Sequence, residues 1–379
     1  MEPIQLFVPT FRTDEALEEI RVCLEKGWTG LGFKTVEFEK AWKDYTELEN
    51  AHFLDSATSG LHLAVKLLKI QQGWQDGDEI ITTPITFVST NHAILHENLK
   101  PVFADVDEML CLDPQSVRER ISNRTRAVMY VGLGGNVGRY EEIIQICRQY
   151  NLKLILDAAH MTGTQFKGRH VGSEADVAVF SFQAVKNLPT ADSGMICFRD
   201  VELDTEARKW SWMGINKDTY TRTIEKDGTY RWYYDVDHVG YKYHGNSIMA
   251  ALGLVSIKYV DQDNAYRREI ASLYDSFFTV DPRITCVPMA KECVPSRHLY
   301  QVLVDNRDQA MVYLNNHQIY PGVHYRDNTI YNMYTYAQGT CPYAHVNSQR
   351  IISLPMHLKL SREDVKRVSE TLIEYVRNQ

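Results

Sequence analysis

The sequence predicts an α/β protein: a large unit built on a mainly parallel sheet of seven strands, followed by a smaller C-terminal α+β unit. Three observations point there. Between about residue 20 and residue 200, short β-rich runs alternate with amphipathic stretches, the pattern of βαβ units. Beyond Arg199 that alternation stops, and only short strands and a terminal helix can be traced near the end. The chain is also long enough, at 379 residues with 44% apolar and 24% charged side chains, to bury more than one core, and its composition excludes intrinsic disorder and collagen-like repeats.

Taken in order, the expected strands are His52–Asp55, Glu79–Thr83, Val102–Asp105, Ala127–Leu133, Lys153–Asp157, Val177–Ser181 and Gly194–Arg199. Helices lie between them. Ser59–Ile70 is apolar on most of its circumference and should be buried. Pro114–Ile121 follows Asp113, an N-cap with proline in the first turn. Arg139–Tyr150 opens the next crossover. The segment 204–246 is rich in Trp, Tyr, Lys and Asp and reads as a surface loop, a subunit contact or a substrate lid. Ser247–Tyr274 reads as one long helix, and Ser361–Arg377 as a terminal helix with Glu363 and Asp364 in its first turn. The expected division is a large domain over 1–245 and a small one over 246–379.

Charge and cysteine content narrow the function classes. A net charge of −8 opposes binding to a phosphate backbone, so nucleic acid is not an expected partner. No apolar run long enough to span a bilayer occurs, and the N-terminus lacks the layout of a secretory signal, so the expected setting is the cytoplasm, with no membrane partner. Seven cysteines, odd in number and without a CxxC pair, argue against a disulfide framework or a metal site.

Three residues carry the chemistry. Asp157 ends the apolar run LKLILD, which places it at the carboxyl edge of a buried parallel strand, where open α/β sheets form their ligand crevices. A carboxylate there needs a cationic partner. Ser181 ends the strand VAVFS, and Lys186 follows in a loop bounded by Pro189 and Gly194. A strand-end carboxylate and a loop lysine fit pyridoxal phosphate (PLP) chemistry: the amine forms a Schiff base with the aldehyde and the carboxylate keeps the pyridine nitrogen protonated. Ser181 and the segment Ala57–Gly60, at a strand-to-helix turn, fit the phosphate. Phe87 fits stacking on the ring. Each residue also has an ordinary reading: a cap or salt bridge for Asp157, an exposed loop lysine for Lys186, plain core for Phe87, an N-cap for Ser59.

The segments GWTGLGFKTVEFEK (27–40), DSATSGLHLAV (55–65), GDEIITTPITFVSTNHAI (77–94), KPVFADVD (100–107), DAAHMTGTQFKGRHVG (157–172), SFQAVKNL (181–188) and SLPMHLKLSREDV (353–365), in this order, resemble the DegT/DnrJ/EryC1/StrS family of PLP-dependent sugar aminotransferases. The resemblance implies a fold-type I aminotransferase that is an obligate homodimer with active sites at the interface. It implies Lys186 as the Schiff-base lysine and proton shuttle, Asp157 on the pyridinium nitrogen, and His160 beside the ring oxygen. It further implies Thr58, Ser59 and Ser181 on the phosphate, Phe87 on the ring face, and His324 and Tyr325 near the substrate. Lys242, reaching across from the partner subunit, takes the place of an asparagine that meets the phosphate. The implied reaction moves an amino group from an amino acid, L-glutamate in family terms, to a nucleotide-linked keto-deoxysugar, most often for O-antigen or another surface polysaccharide.

The chain also departs from the family pattern. Ser193 stands in ADSG (191–194) where a glycine is usual, GYKYHGN (240–246) carries Lys242 and His244 for Asn and Arg, Gln183 replaces a His or aromatic, and HYRDN (324–328) lacks a proline. Trp212, Tyr230, Trp232 and Tyr233 offer rings for a base or sugar. Competing readings are a PLP-dependent sugar dehydratase, whose subgroup has His for the lysine retained here as Lys186, an aminotransferase for a non-nucleotide ketone, and a non-catalytic PLP-binding regulator.

Overall fold

The computed structural model describes residues 2–217, 220 and 234–379. Seven strands form the central sheet: β1 (Asn50–Leu54), β2 (Glu79–Thr82), β3 (Lys100–Phe103), β4 (Thr125–Val131), β5 (Lys153–Asp157), then, after the short β6 (Gln165–Phe166) and β7 (Arg169–His170), β8 (Val177–Ser181) and β9 (Gly194–Phe198). Their order is β1-β9-β8-β5-β4-β2-β3, and only β9 runs antiparallel to its neighbours. Every expected strand is present, shifted by at most two residues at either end. The strands are apolar on both faces because helices cover both.

Helices α1 (Thr13–Glu25), α2 (Phe33–Thr46), α3 (Ala57–Gln72), α4 (Val88–His96), α5 (Pro114–Arg120), α6 (Tyr140–Gln149) and α7 (Val201–Trp210) belong to this unit. On one side of the sheet Phe38 and Trp42 of α2 interlock with Phe53, Phe180 and Phe182, rings meeting edge to face at 4.9–5.4 Å. On the other, the apolar face of α3 lies on β8 and β9. Gly60 permits this approach: a Cβ there would sit 2.7 Å from Val179.

The expected single helix from Ser247 to Tyr274 is instead two, α8 (Ser247–Ser256) and α9 (Val260–Phe278), separated by a tight 3₁₀ turn at Ile257–Tyr259. The reason is a change of packing partner. α8 packs on α1 and α2, whereas α9 turns its apolar side to the C-terminal layer through Ile270, Tyr274 and Phe278. Side chains of the turn are pinned to the N-terminal segment: the Tyr259 hydroxyl donates to Glu15, and the Arg12 guanidinium lies 4.3 Å over the Tyr259 ring.

The C-terminal layer is the small antiparallel sheet β10 (Thr285–Cys286), β12 (Tyr300–Leu303) and β13 (Ile351–Leu354), covered by α9, α10 (Arg307–Asn316) and α12 (Arg362–Arg377), with α11 (Pro342–Ser348) at its side. Ser361 and Asp364 form the capping box that starts α12. The start of the chain joins this layer: the Ile4 amide donates to Gln318 and the Ile4 carbonyl accepts from Tyr320. Residues 5–10 thereby run back toward the carboxyl edge of the large sheet. β11 (Cys293–Val294) pairs with β6, a second tie between the layers.

Candidate active site

β5 and β8 are parallel neighbours, so their last residues, Asp157 and Ser181, emerge side by side at the carboxyl edge. A cavity of about 550 Å³ opens there. Its wall includes Thr58, Phe87, Asp157, His160, Ser181, Lys186, His324 and Tyr325, eight of the ten expected site residues. Ser59 lies one step behind the wall, its hydroxyl 2.9 Å from Ser56 Oγ. Lys242 is off the wall in its own chain, with Nζ 5.4 Å from the Trp212 ring. That contact places Trp212 beside Lys242 and away from the cavity wall; Tyr230, Trp232 and Tyr233 lie outside the described residues.

The helix start is built for an anion. Ser56 is extended and its hydroxyl caps α3 by accepting from the Ser59 amide at 3.1 Å. The first-turn amides of Ala57 and Thr58 are left facing the cavity at the positive end of a 16-residue helix. Behind them β9 comes so close that a Cβ on Gly194 would lie 2.6 Å from the Ala57 nitrogen, so only glycine fits. Ser181 adds a hydroxyl from β8.

Asp157 is 4% exposed. Thr90 donates to Oδ2 at 2.7 Å and the Ala159 amide to Oδ1 at 3.1 Å. Thr86 backs Thr90 at 2.8 Å. Among the described residues no cation pairs with this carboxylate, and burial raises its pKa against those two hydrogen bonds and the more distant Lys186. Lys186 is likewise without a hydrogen-bond partner for Nζ among the described residues; burial lowers it to about 8, partly offset by Asp157. Phe87, at the N-terminus of α4, is 57% exposed at the cavity and 6.2 Å from the Tyr325 ring.

His160 is buried, and burial first, then Lys186 and His324, hold it well below the usual histidine range, so it is neutral. Its Nδ1 accepts from the Gly134 amide at 3.2 Å, which puts the proton on Nε2, 3.3 Å from the Tyr325 hydroxyl. Tyr325 therefore accepts from His160 and keeps its own proton for the cavity. His324 anchors through Nδ1 to Ser353 Oγ at 3.0 Å, and burial holds it at about 4. Sequence reasoning missed Phe7, Thr86, Ser89, Asp192 and His298 on the wall. For Thr90, behind the wall, a signal existed: it lies three residues after Phe87, on the same face of α4.

The departures resolve individually. Ser193 does not open the loop. Its hydroxyl donates to Thr190 Oγ1 at 2.6 Å, and Thr190 donates to the Phe182 carbonyl, so both are consumed in holding the Lys186 loop on β8. Gln183 caps the same loop by accepting from the Val185 amide. His244 stacks edgewise on Trp212 at 4.5 Å.

The chemistry of this wall fits PLP. An unpaired buried carboxylate is costly unless a cation completes it, and a protonated pyridine nitrogen does so. A desolvated lysine near pKa 8 has the free amine an aldehyde needs. Uncapped helix amides with Ser181 match a phosphate, and an exposed aromatic over the opening matches a flat ring. The sheet, its carboxyl-edge cavity and this set of side chains define a PLP-dependent aminotransferase. The chain belongs to the DegT/DnrJ/EryC1/StrS aminotransferase family, whose model matches residues 11–373. It is 33% identical over 375 residues to the spore coat polysaccharide biosynthesis protein SpsC of Bacillus subtilis (strain 168), covering 96% of this chain and 95% of the other. Among solved structures it is similar to PseC of Helicobacter pylori, an aminotransferase involved in the biosynthesis of pseudoaminic acid, with TM-score 0.91, 26% identity and all of both chains covered. It also matches Spr1654 of Streptococcus pneumoniae in its PLP form, with TM-score 0.89, 28% identity, and 99% of each chain covered; that protein is also solved in its PMP form. The protein is thus a PLP-dependent sugar aminotransferase of polysaccharide or sugar biosynthesis. No helix among the described residues is long and apolar enough to cross a membrane.

Proposed function

We propose that this enzyme transfers the amino group of L-glutamate to a keto group on a nucleotide-linked deoxysugar, in a cytoplasmic homodimer serving surface-polysaccharide synthesis. One observation carries the reading: Asp157 and Lys186 line one cavity, both desolvated and neither ion-paired among the described residues. PLP, when bound, would supply an electron sink for the charge left when the donor's α-carbon loses its proton. Asp157 keeps the ring nitrogen protonated, held in place by Thr90 and the Ala159 amide. Lys186 holds the cofactor aldehyde and, once released, moves the proton; with an amine near pKa 8 it accepts and returns it at neutral pH. Ala57, Thr58 and Ser181 bind the phosphate. Neutral His160 donates to Tyr325, and Tyr325 and His324 orient the sugar.

The dimer enters through charge. Lys186 is the sole Lys or Arg among the described residues of the wall. A phosphate dianion and the two carboxylates of glutamate need more cations than that. Lys242, displaced from its own cavity, suits the neighbouring subunit's phosphate as a point charge. The polysaccharide destination rests on the likeness to SpsC, and the nucleotide link and the glutamate donor rest on family resemblance.

The test is the visible spectrum of the protein with PLP, before and after L-glutamate. The lysine-bound cofactor band should appear, collapse with glutamate, and return on adding a nucleotide-linked keto-sugar. A band indifferent to glutamate overturns the donor. A band restored equally well by a free keto-sugar overturns the nucleotide requirement.

A further inference from the structure

We infer that His298, in the Ser296–Leu299 stretch before β12, is a further substrate-reading residue: a neutral imidazole whose bare Nε2 accepts a hydrogen bond from an N–H or O–H group of a substrate in the cavity. His298 lines the cavity and is 1% exposed. Its ring is wedged between two others: Phe7 lies 5.3 Å away and nearly parallel at 10°, and His160 4.4 Å away at 37°. With Phe7 stacked on it and His160 tilted against it, only an edge of His298 meets the cavity.

Which edge follows from its neighbour. Asn187, the residue after the lysine, spends its amide protons on Asn264 Oδ1 at 2.6 Å and the Ser296 carbonyl at 2.8 Å. Its oxygen is left for His298 Nδ1, at 3.0 Å, and an oxygen accepts only from N–H. The proton is therefore on Nδ1 and the lone pair on Nε2. Asn264 is fixed in turn, donating to the Thr162 carbonyl at 2.9 Å, so a chain of buried amides from α9 sets the tautomer. No described residue occupies Nε2, which is left available to a group bound in the cavity. Burial, then His160, Lys186, Arg267 and His324, keep the ring from protonating. The surroundings thus select an acceptor, which reads a hydroxyl or an amine and cannot hold a carboxylate or phosphate.

This inference rests on the aminotransferase reading above, and the experiment separates the two. Two variants have opposite strengths: His298→Phe keeps the ring stack and removes the acceptor, whereas His298→Gln gives up the stack and keeps an acceptor. Each is loaded with PLP, and the cofactor band is followed in single turnovers with L-glutamate and, in reverse, with an amino-sugar. Both variants should show the band. His298→Phe should lose about tenfold in kcat/KM with at least one of the two substrates, the size expected for one hydrogen bond to a bound substrate. His298→Gln should recover most of it. Equal rates for wild type and His298→Phe, or a Gln variant worse than the Phe variant, overturn the inference and leave His298 as packing. A wild-type band indifferent to both substrates fails the functional reading itself, and His298 with it.

Discussion

Two carboxylates of this protein are buried to nearly the same degree and put to opposite uses. Glu39 of α2, 8% exposed, is fully met inside the fold: by Arg208 at 3.0 Å, His52 at 3.0 Å and the Phe53 amide at 2.9 Å. Burial alone would raise its pKa, but Arg208, His52 and the amide outweigh it and hold it at about 2. Asp157, 4% exposed, has two hydrogen bonds and no paired cation among the described residues, and its pKa goes the other way. The first arrangement ties α2, β1 and α7 together. The second leaves a charge waiting for something the polypeptide does not contain. Burial by itself does not mark a functional site; burial with an incomplete set of partners does.

The comparison breaks most visibly at the lysine. Lys186→Ala should lower transamination by three orders of magnitude or more, on the order of what a positioned acid–base group supplies, measured by glutamate-driven loss of the cofactor band. Appreciable turnover by that variant would remove Lys186 from the chemistry. Asp157→Asn should cost about a hundredfold or more in the same assay while leaving the melting temperature unchanged or raised, because an uncompensated buried charge is removed. Glu39→Gln should do the reverse: destabilise by about 3 kcal/mol, the low end for a broken buried pair because Arg208 keeps Asp204, with the cofactor spectrum intact. Its pH signature has a definite sign. A carboxylate depressed to about 2 gives its full stabilisation above the ordinary value of 4.5 and loses it as pH falls toward 2, so acid unfolding of the wild type should steepen in that window and flatten in Glu39→Gln.

Much of this was legible in the chain. The strands could be read because each is a short apolar run at a regular interval, and Asp157 and Ser181 because they end such runs. Thr58, Phe87 and Lys186 follow strands directly, so local order places them. What stayed hidden depends on distance. Phe7 and His298 reach the cavity only because the chain start pairs with Gln318 and Tyr320 and because Asn187 meets His298, contacts between segments far apart in sequence. The break at Ile257–Tyr259 is a tertiary effect as well: helical propensity runs straight through it, and the change of packing partner overrides it. Ser59 shows the opposite failure, a local motif read three residues off, since Ser56 is the cap.

The smaller effects sharpen the comparison at the unpaired site. In the cofactor-free protein, labelling of Lys186 by an amine-reactive reagent, followed by mass spectrometry, should show a midpoint near pH 8, with the reactive neutral amine gained as pH rises through it. Burial causes that depression and Asp157 opposes it, so Asp157→Asn should move the midpoint lower; a midpoint unmoved or raised would mean that the two groups do not sense each other. The smallest predicted change concerns Lys242. If it completes the neighbouring subunit's phosphate site, Lys242→Ala should weaken PLP retention by about tenfold, the worth of one charge-assisted contact. The loss should be confined to sites facing the altered subunit. Mixed dimers of Lys242→Ala with Lys186→Ala settle the geometry. Lys242 acting across the interface gives each mixed dimer one complete site, with the lysine of the Lys242→Ala chain and the ammonium of its partner, and one site lacking both, so PLP should be retained tightly at the competent site. Lys242 acting within its own chain gives the same dimer one site with the lysine but no ammonium and one with the ammonium but no lysine, so retention at the competent site should stay weak. Tight binding at the competent site of the mixed dimer therefore supports the contact across the interface, and weak binding there places Lys242 in its own subunit.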